Sequence, residues 1–555
     1  MQLRIKLYDL ILAFANALDQ VHPALTGHHR RVGFLLDRLA ERLGLPSEER
    51  ERLFLAGIMH DVGVIPLKTS AEDLVFERER YLHPQAGCLF LQNCPTLAEE
   101  AERVRFHHMY WEKACDRGLA AREGSLINIA DRVDVDLRAK NDFREAVEGA
   151  DRRVCERRPG IYSPDHIEAM QDILHDEETL NDLAGAHIRL PAFVRRRYGD
   201  QILTPQETIQ FSTLFGHIID SCSPFTATHS TGVAHMAVAL GRLTGMGQDD
   251  LDTLFVAGML HDIGKLGIPL ALLEKPGQLT DEEFPKVKRH ADLSRLWLDA
   301  VPGFERVSVW GGGHHERLDG KGYPLGLKGE EIPLPSRIMA IADVFTALTE
   351  DRPYRKGMAP PEALRIVKGM VKQGHLDGDL SRLLCDHADE LDAVRASSQA
   401  DIDIFPLDGV PKSRMAQRMH FAKYEFYKRV LYLIHRDPYK HGKGPSSWIP
   451  LLCRKLFTLT GAQESIRKVM KKYDFDQSAL VCDYDDGMKG IMSKDILGTP
   501  TPVLFEDEEV SGVQKYDAYL SQKYGDYMTI PKQSGQRQHN FHYLDLNKPY
   551  REFEV

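Results

Sequence analysis

The sequence predicts a mainly α-helical chain: two tandem all-helical units, then a C-terminal segment of mixed α+β character. Three observations carry that expectation. One unit is written twice, as LFLAGIMHDVG at 53–63 and LFVAGMLHDIG at 254–264. Apolar residues before position 400 recur at helical spacing, with no alternating strand pattern of any length. Near 400 the charged helical text gives way to aromatic-rich text with Tyr424, Phe426, Tyr427 and Tyr432.

The repeat is long, and its spacing agrees over whole segments. Position 53 maps to 254, and His28 maps to His229, by one offset of 201. Val32 and Val233 follow each of those histidines by four. His83 in YLHPQAG and His290 in KRHADLS each precede a His-His pair, His107-His108 and His314-His315, by 24. Each copy closes on an Ile-Ala-Asp, giving Asp131 and Asp343. A period near 200 residues is a duplicated domain, not a solenoid. The expected divisions are 1–200, 201–398 and 402–555.

Local patterns support helices in both copies. Leu251, Leu254, Phe255 and Gly258 fall at i, i+3, i+4 and i+7 ahead of His261. PSEERERLFLAGIM opens with Ser47 as N-cap and an acidic first turn. TDEEFPKVKRH and PPEALRIVKGMV read as capped amphipathic helices.

Bulk composition bounds the function. The 555 residues exceed one hydrophobic core and suit about three domains. The chain is 43% hydrophobic with a mean hydropathy of −0.35, and no apolar run approaches the roughly 18 residues of a membrane span. The first helix carries Asp9 and Asp19 and lacks a signal-peptide cleavage site. The eight cysteines form no CxxC pair, as in reduced cytoplasmic thiols. A net charge of −11 disfavours binding to a long nucleic acid, though not to a small phosphate ligand held by a metal.

Histidines and aspartates matched across two copies are a metal-ligand set. Imidazole with carboxylate suits Fe, Mn, Zn or Ni. His261 can hold one ion while the two oxygens of Asp262 bridge to a second. Ions about 3.5–4 Å apart generate a hydrolytic nucleophile and absorb charge on the attacking and leaving oxygens of a phosphodiester. A single buried histidine is more often a satisfied core residue. Six positions recurring in two copies are not explained that way.

These residues resemble the HD superfamily of metal-dependent phosphohydrolases, and the second copy resembles its HD-GYP branch. The matching text is HDIGKLGIP (261–269), HHERLDGKGYPLGLKGEEIPLPSRIMAIADVFTAL (314–348) and DRPYR (351–355). The resemblance implies two divalent ions, Fe, Mn or similar. It implies hydrolysis of cyclic di-GMP to linear pGpG or GMP, or of the related 3′,3′-cyclic GMP-AMP. It assigns His229, His261, Asp262, His290, His314, His315 and Asp343 as ligands. Lys265 would sit beside the scissile phosphate, its point charge facing the developing phosphorane. Arg352 and Arg355 would grip phosphates or guanine edges, with Gly322, Tyr323 and Pro324 forming a loop at the site. Phe225 stands where some members carry a third-metal Glu, so two ions are expected. Thr346 stands where an Asp is common. Diguanylate cyclase (GGDEF) proteins and a second copy of the chain are the partners such a domain implies. The rival reading is a signalling protein that binds a cyclic dinucleotide or a cyclase without turnover.

The first copy keeps His28, His60, Asp61, His83, His107, His108 and Asp131 as a second metal set. It lacks Gly-Tyr-Pro, is shorter by about five residues between its last His and Asp, and has Val64 in place of Lys265. It reads as a plain HD domain, able to bind metal, that has lost its phosphate-side lysine: a sensory or structural partner, or a second hydrolase with other specificity.

The tail resembles the C-terminal half of the LicD phosphotransferase family, through DIFPLDGVP (403–411), FEDEEVSGV (505–513), YLSQKYGDYMTIP (519–531) and His539. That family transfers phosphocholine or related groups to surface sugars. Its catalytic aspartates belong upstream, where this chain has the HD-GYP text instead, so an inactive fragment is expected. Asp474, Asp476, Asp483, Asp485 and Asp486 read as a solvated acidic loop. A half-domain would leave Trp448, Leu451, Leu452 and Phe457 poorly covered.

Overall fold

A computed structural model describes residues 3–21, 25–67, 82–138, 142–156, 160–185, 192–197, 199, 201–222, 228–273, 275, 277, 279–350, 356–398, 407–435, 445–457, 459–470, 472–473, 478–483, 487–498, 501–505, 508–512, 515, 518–519 and 521. Contacts divide the chain into two compact units, 1–400 and 401–555.

Among its described residues the first unit is helical, with one two-residue strand pair and an isolated bridge between Asp319 and Lys328. Its first half holds β1 (Ile5–Lys6) and α1 (Leu7–Asp19), α2 (His28–Arg42), α3 (Ser47–Met59), α4 (Leu82–Leu91), α5 (Ala98–Arg105) and α6 (Leu119–Arg138). Then follow α7 (Phe143–Glu156), α8 (Pro164–Leu174) and α9 (Glu177–Ala184). The second half repeats the plan with β2 (Ile202–Leu203), α10 (Pro205–Asp220), α11 (His229–Leu243), α12 (Gln248–Leu260), a 3₁₀ turn Ile263–Gly267, α13 (Phe284–Asp299), α14 (Glu305–Gly312) and α15 (Leu334–Thr349). It closes with α16 (Pro360–Lys372), α17 (Gly378–Asp386) and α18 (Ala388–Ser398).

Capping chemistry starts several of these helices. Thr204 and Glu207 exchange side-chain and backbone bonds in a capping box at α10. Thr280 and Glu283 make the same exchange ahead of α13, with Thr280 N donating to Glu283 at 2.8 Å. At α3 the expectation is corrected: Pro46 is the cap residue and Ser47 is already helical, with no side-chain cap bond. Proline fixes the φ that a helix entry needs, so the serine is displaced by one position.

The two copies pair with each other. β1 and β2 run antiparallel, Ile5 opposite Leu203 and Lys6 opposite Ile202. Phe14 and Phe215, equivalent by the 201 offset, stack ring on ring. α1 packs against the 3₁₀ turn and α13 of the second copy, and α10 packs against α4 of the first. One continuous cluster of buried apolar residues runs through both copies, from Leu3 to Leu391.

The second unit is described by itself. β3 (Leu407–Val410), β4 (Leu480–Asp483) and β5 (Ile491–Ser493) form an antiparallel sheet in that order, and β6 (Thr501–Phe505) pairs with β7 (Glu508–Gly512) as a hairpin. Its helices are α19 (Arg414–His435), α20 (Pro445–Leu456) and α21 (Leu459–Met470). Among the described residues its core is small: Val410, Phe421, Tyr424, Val469 and Cys482. Trp448 is 72% exposed, with Leu451 and Leu452 exposed beside it on α20, while Phe457 is half-buried. Most of 519–531, with His539, Asp474, Asp476, Asp485 and Asp486, lies outside the described residues.

Candidate metal centre

In the second copy the seven expected ligands come from five places in the fold and meet at one point. His229 is the first residue of α11, and His261 and Asp262 follow the end of α12. His290 is mid-α13, His314 and His315 follow α14, and Asp343 is mid-α15. All are buried except His315, which is nearly so. Glycine makes the first turn possible. A Cβ on Gly264, in the His-Asp-Ile-Gly text, would lie 1.9 Å from the His290 carbonyl oxygen, and Gly63 is as close, 2.1 Å, to that of His83. Only a bare backbone lets the turn touch the helix carrying the next histidine.

Backbone carbonyls orient the imidazoles. His261, His290 and His314 each place Nδ1 2.6–2.7 Å from the carbonyl three residues earlier, Gly258, Val287 and Gly311. Donation from Nδ1 leaves Nε2 as a lone pair pointing into the centre. There His261 Nε2 is buried without a hydrogen-bond partner among the described residues, 3.1 Å from Asp262 Oδ2. His290 Nε2 lies 3.1 Å from His315 Nε2 and 3.5 Å from Asp262 Oδ1. Asp262 thus turns one oxygen to each histidine group. His229 Nε2 faces Asp343 Oδ1 at 3.4 Å and Asp262 Oδ2 at 4.0 Å.

Acceptors facing acceptors need a cation between them. Two sets, His290–His314–His315 and His229–His261–Asp343, each bring their ligand atoms within 4.8 Å of one another. The donor set therefore fits divalent ions. Burial pushes the His314 imidazole down to about 3, with His261 adding to it, and holds His315 well below the usual histidine range. Neutral imidazoles are the form that ligates. Burial would raise Asp262, but His261 and Lys265 hold its carboxyl well below the usual range. At His229 burial is outweighed by Glu350 and Asp343, which push it up to about 10.

The expected substrate-side residues divide. Lys265 sits on the 3₁₀ turn, its ammonium paired with Asp262 Oδ2 and about a quarter exposed. Gly322 is forced by contact: a Cβ there would lie 2.2 Å from Arg317 N. Tyr323 donates its N–H to the His315 carbonyl at 3.2 Å and lays its ring 4.6 Å from the His315 ring, centroid to centroid. Burial pushes the Tyr323 phenol up, so it stays protonated. Arg352, Arg355 and Phe225 lie outside the described residues.

Four carboxylates that the sequence reading did not assign to the site brace the two copies, three in the second and one in the first. Glu316, 2% exposed, accepts the N–H groups of Leu325 and Leu327 at 2.7 and 2.9 Å and pins the loop after Pro324. Glu350 accepts from His229 Nδ1 at 2.8 Å. Asp220 takes the N–H and hydroxyl of Ser230 at 2.7 and 2.8 Å, fixing the start of α11. Asp19 takes the N–H of Gly27 at 2.8 Å and His29 Nδ1 at 2.7 Å, fixing the start of α2. Asp19 and Asp220 share the 201 offset, which was the available signal.

The first copy builds the same arrangement. His60 and His107 bond the Gly57 and Val104 carbonyls at 2.7 Å. Asp61 turns Oδ2 to His60 (3.3 Å) and His28 (3.6 Å) and Oδ1 to His83 (3.4 Å) and His107 (3.7 Å). His83–His107–His108 and His28–His60–Asp131 are its two ligand groups. Arg132 bonds Asp131 Oδ2 at 2.7 Å, and buried Val64 replaces the lysine.

The HD domain family matches twice, at residues 25–136 and 213–380. The 3′3′-cGAMP-specific phosphodiesterase 1 of Vibrio cholerae is 34% identical over 394 residues, covering 68% of this chain and 90% of that protein. A cyclic di-GMP phosphodiesterase of Pseudomonas aeruginosa is 41% identical over 159 residues, 28% of this chain and 38% of that one. A crystal structure of a cyclic GMP-AMP phosphodiesterase of V. cholerae aligns over 71% of this chain and 98% of its own, at 22% identity and a TM-score of 0.48. The chain is an HD-domain protein with two HD domains. More narrowly, it belongs to the HD-GYP family of cyclic-dinucleotide phosphodiesterases. Among the described residues no helix is long and apolar enough to cross a membrane.

Proposed function

We propose that the second copy, residues 201–398, hydrolyses a cyclic dinucleotide, cyclic di-GMP or 3′,3′-cyclic GMP-AMP, with two divalent ions of the iron or manganese kind. The observation that carries this is Asp262, whose two oxygens face two separate histidine groups. Such ions, when bound, activate water and neutralise charge on the phosphodiester. His229, His261 and Asp343 would hold one, and His290, His314 and His315 the other, with Asp262 between. The protein's own part is placement. Lys265 stands at the rim, where its ammonium can exchange Asp262 for a substrate phosphate oxygen. Tyr323, held over His315, walls one side of the centre and keeps its hydroxyl as a donor.

In this reading the first copy, 1–200, is a metal-binding HD domain without the lysine and loop that grip phosphate. Residues 402–555 are an inactive LicD-like fragment, supported by the small core and the bare apolar face of α20. The test is direct. Purified protein loaded with Mn²⁺ or Fe²⁺ is incubated with each cyclic dinucleotide, and products are resolved by chromatography. Linear dinucleotide from wild type and none from His261→Ala or Asp262→Ala is expected. Wild-type rates in the doubly substituted protein would remove the site.

A further inference from the structure

His28 and His229 are equivalent ligands, yet different residues stand behind them. In the first copy Asp134, three residues after the ligand Asp131, brings Oδ2 to 2.7 Å from His28 Nδ1. Asp134 is fully buried. In the second copy the position three after Asp343 is Thr346, whose buried Oγ1 has no hydrogen-bond partner among the described residues. The carboxylate comes from Glu350 instead, seven residues after Asp343, with Oε2 2.8 Å from His229 Nδ1. The first copy has Arg138 at that seventh position, bonded to Asp134 at 2.9 Å and with Nη2 3.2 Å from His28 Nδ1.

Positions three and seven after the aspartate lie one turn apart on the same helix face. Glutamate is one methylene longer than aspartate, so it reaches back along that face to the same imidazole nitrogen. The requirement is common to both copies. A carboxylate on Nδ1 fixes the proton there and leaves Nε2 to ligate, which raises the basicity of the ligand. The second copy has lost the carboxylate at the usual place, left a polar atom unsatisfied there, and regained it a turn later.

We propose that Glu350 is a positioning residue of the second metal centre, taking over through His229 the task that Asp134 performs in the first. It touches neither substrate nor ion. The proposal rests on the metal-site reading above. It implies that the carboxylate can be moved back: with Thr346→Asp present, Glu350 becomes dispensable.

Mn²⁺ is the probe, titrated into chelator-stripped full-length protein and followed by calorimetry, with melting curves in chelator to confirm folding. Every variant keeps the first copy intact, so differences report the second. Glu350→Gln should weaken Mn²⁺ binding at the second copy about 10- to 100-fold. Thr346→Asp combined with Glu350→Gln should return it to within a few-fold of wild type. Wild-type Mn²⁺ affinity in Glu350→Gln overturns the proposal, as does a loss that Thr346→Asp leaves untouched. His261→Ala, run alongside, separates the two levels. If it too binds Mn²⁺ as wild type does, the metal-site reading falls; if only Glu350→Gln does, the positioning role alone falls.

Discussion

Phe14→Ala tests whether the two copies fold as one body. Phe14 is 2% exposed and stacks on Phe215, its own equivalent, which is fully buried. Truncating a core phenylalanine costs about 3–5 kcal/mol. How that cost shows depends on the size of the cooperative unit. At about 2.1 cal/mol/K of unfolding entropy per residue, a unit of some 400 residues has about 0.8 kcal/mol/K, so a loss of 4 kcal/mol lowers one shared transition by about 5 °C. If the copies melted separately, the first would fall by about 10 °C and the second would not move. Calorimetry of the full chain, with thermal inactivation of phosphodiesterase activity as a reporter of the second copy, distinguishes these. We expect inactivation to shift down by about 5 °C although the substitution lies in the first copy. Phe215→Ala should act alike, and the double variant should cost less than the two added, because they share one cavity. An inactivation temperature untouched by Phe14→Ala would refute the shared core.

Lys265→Ala should lower turnover about 100-fold, as loss of a charge on the reacting phosphate does, with Mn²⁺ content unchanged by mass spectrometry; loss of metal instead would make it a structural partner of Asp262. His166 stands edge-on to Trp111 with Nδ1 lacking a partner, and burial lowers it to about 4. The unfolded chain therefore takes up this proton first, so stability present above pH 6.5 falls as pH drops towards 4, by about 3 kcal/mol. Denaturant titrations of His166→Phe should lack that part of the acid loss, and identical pH profiles would contradict it. Deleting 402–555 should leave turnover within a few-fold and raise solubility, since the exposed apolar face of α20 goes with it; a large fall in turnover would give the tail a role in catalysis.

The clustered histidines and aspartates were legible because few residue types suit such a set, and duplication made each one visible twice. The helices were legible from periodicity. Supporting groups were harder. Glu350 binds a histidine 121 residues away, and no local pattern couples such positions. Glu316 stands in the HD-GYP text, yet its task of tying down Leu325 and Leu327 is a property of the folded loop. Asp19 and Asp220 could have been found from the 201 offset alone. The Phe14–Phe215 stack could not. A buried phenylalanine satisfies its own copy's core as well as a neighbour's, so periodicity does not distinguish the two. Ser47 misled because serine at a helix start is usually the cap, and here a proline precedes it.

The duplication also explains why two nearly identical centres are unlike in surroundings. Each has a cation against one of its carboxylates, and the two copies place it differently. In the first, Arg132 follows Asp131 on α6 and is bonded to it, while the turn after Asp61 carries buried Val64. In the second, Val344 takes the arginine's position and the cation moves to Lys265 on the turn, at the rim, beside Asp262. A cation bonded to a helix-borne ligand neutralises the centre; a flexible ammonium at the rim can also meet an incoming phosphate. The loop follows the same division. His315 is followed by Glu316, whose carboxylate holds the Gly-Tyr-Pro loop over the imidazoles, whereas His108 is followed by Met109, which has no carboxylate to offer. The first copy thus has the same His/Asp cluster without the rim lysine and the Gly-Tyr-Pro loop. Its α1 still packs on the turn that carries Lys265 and on the helix that carries His290.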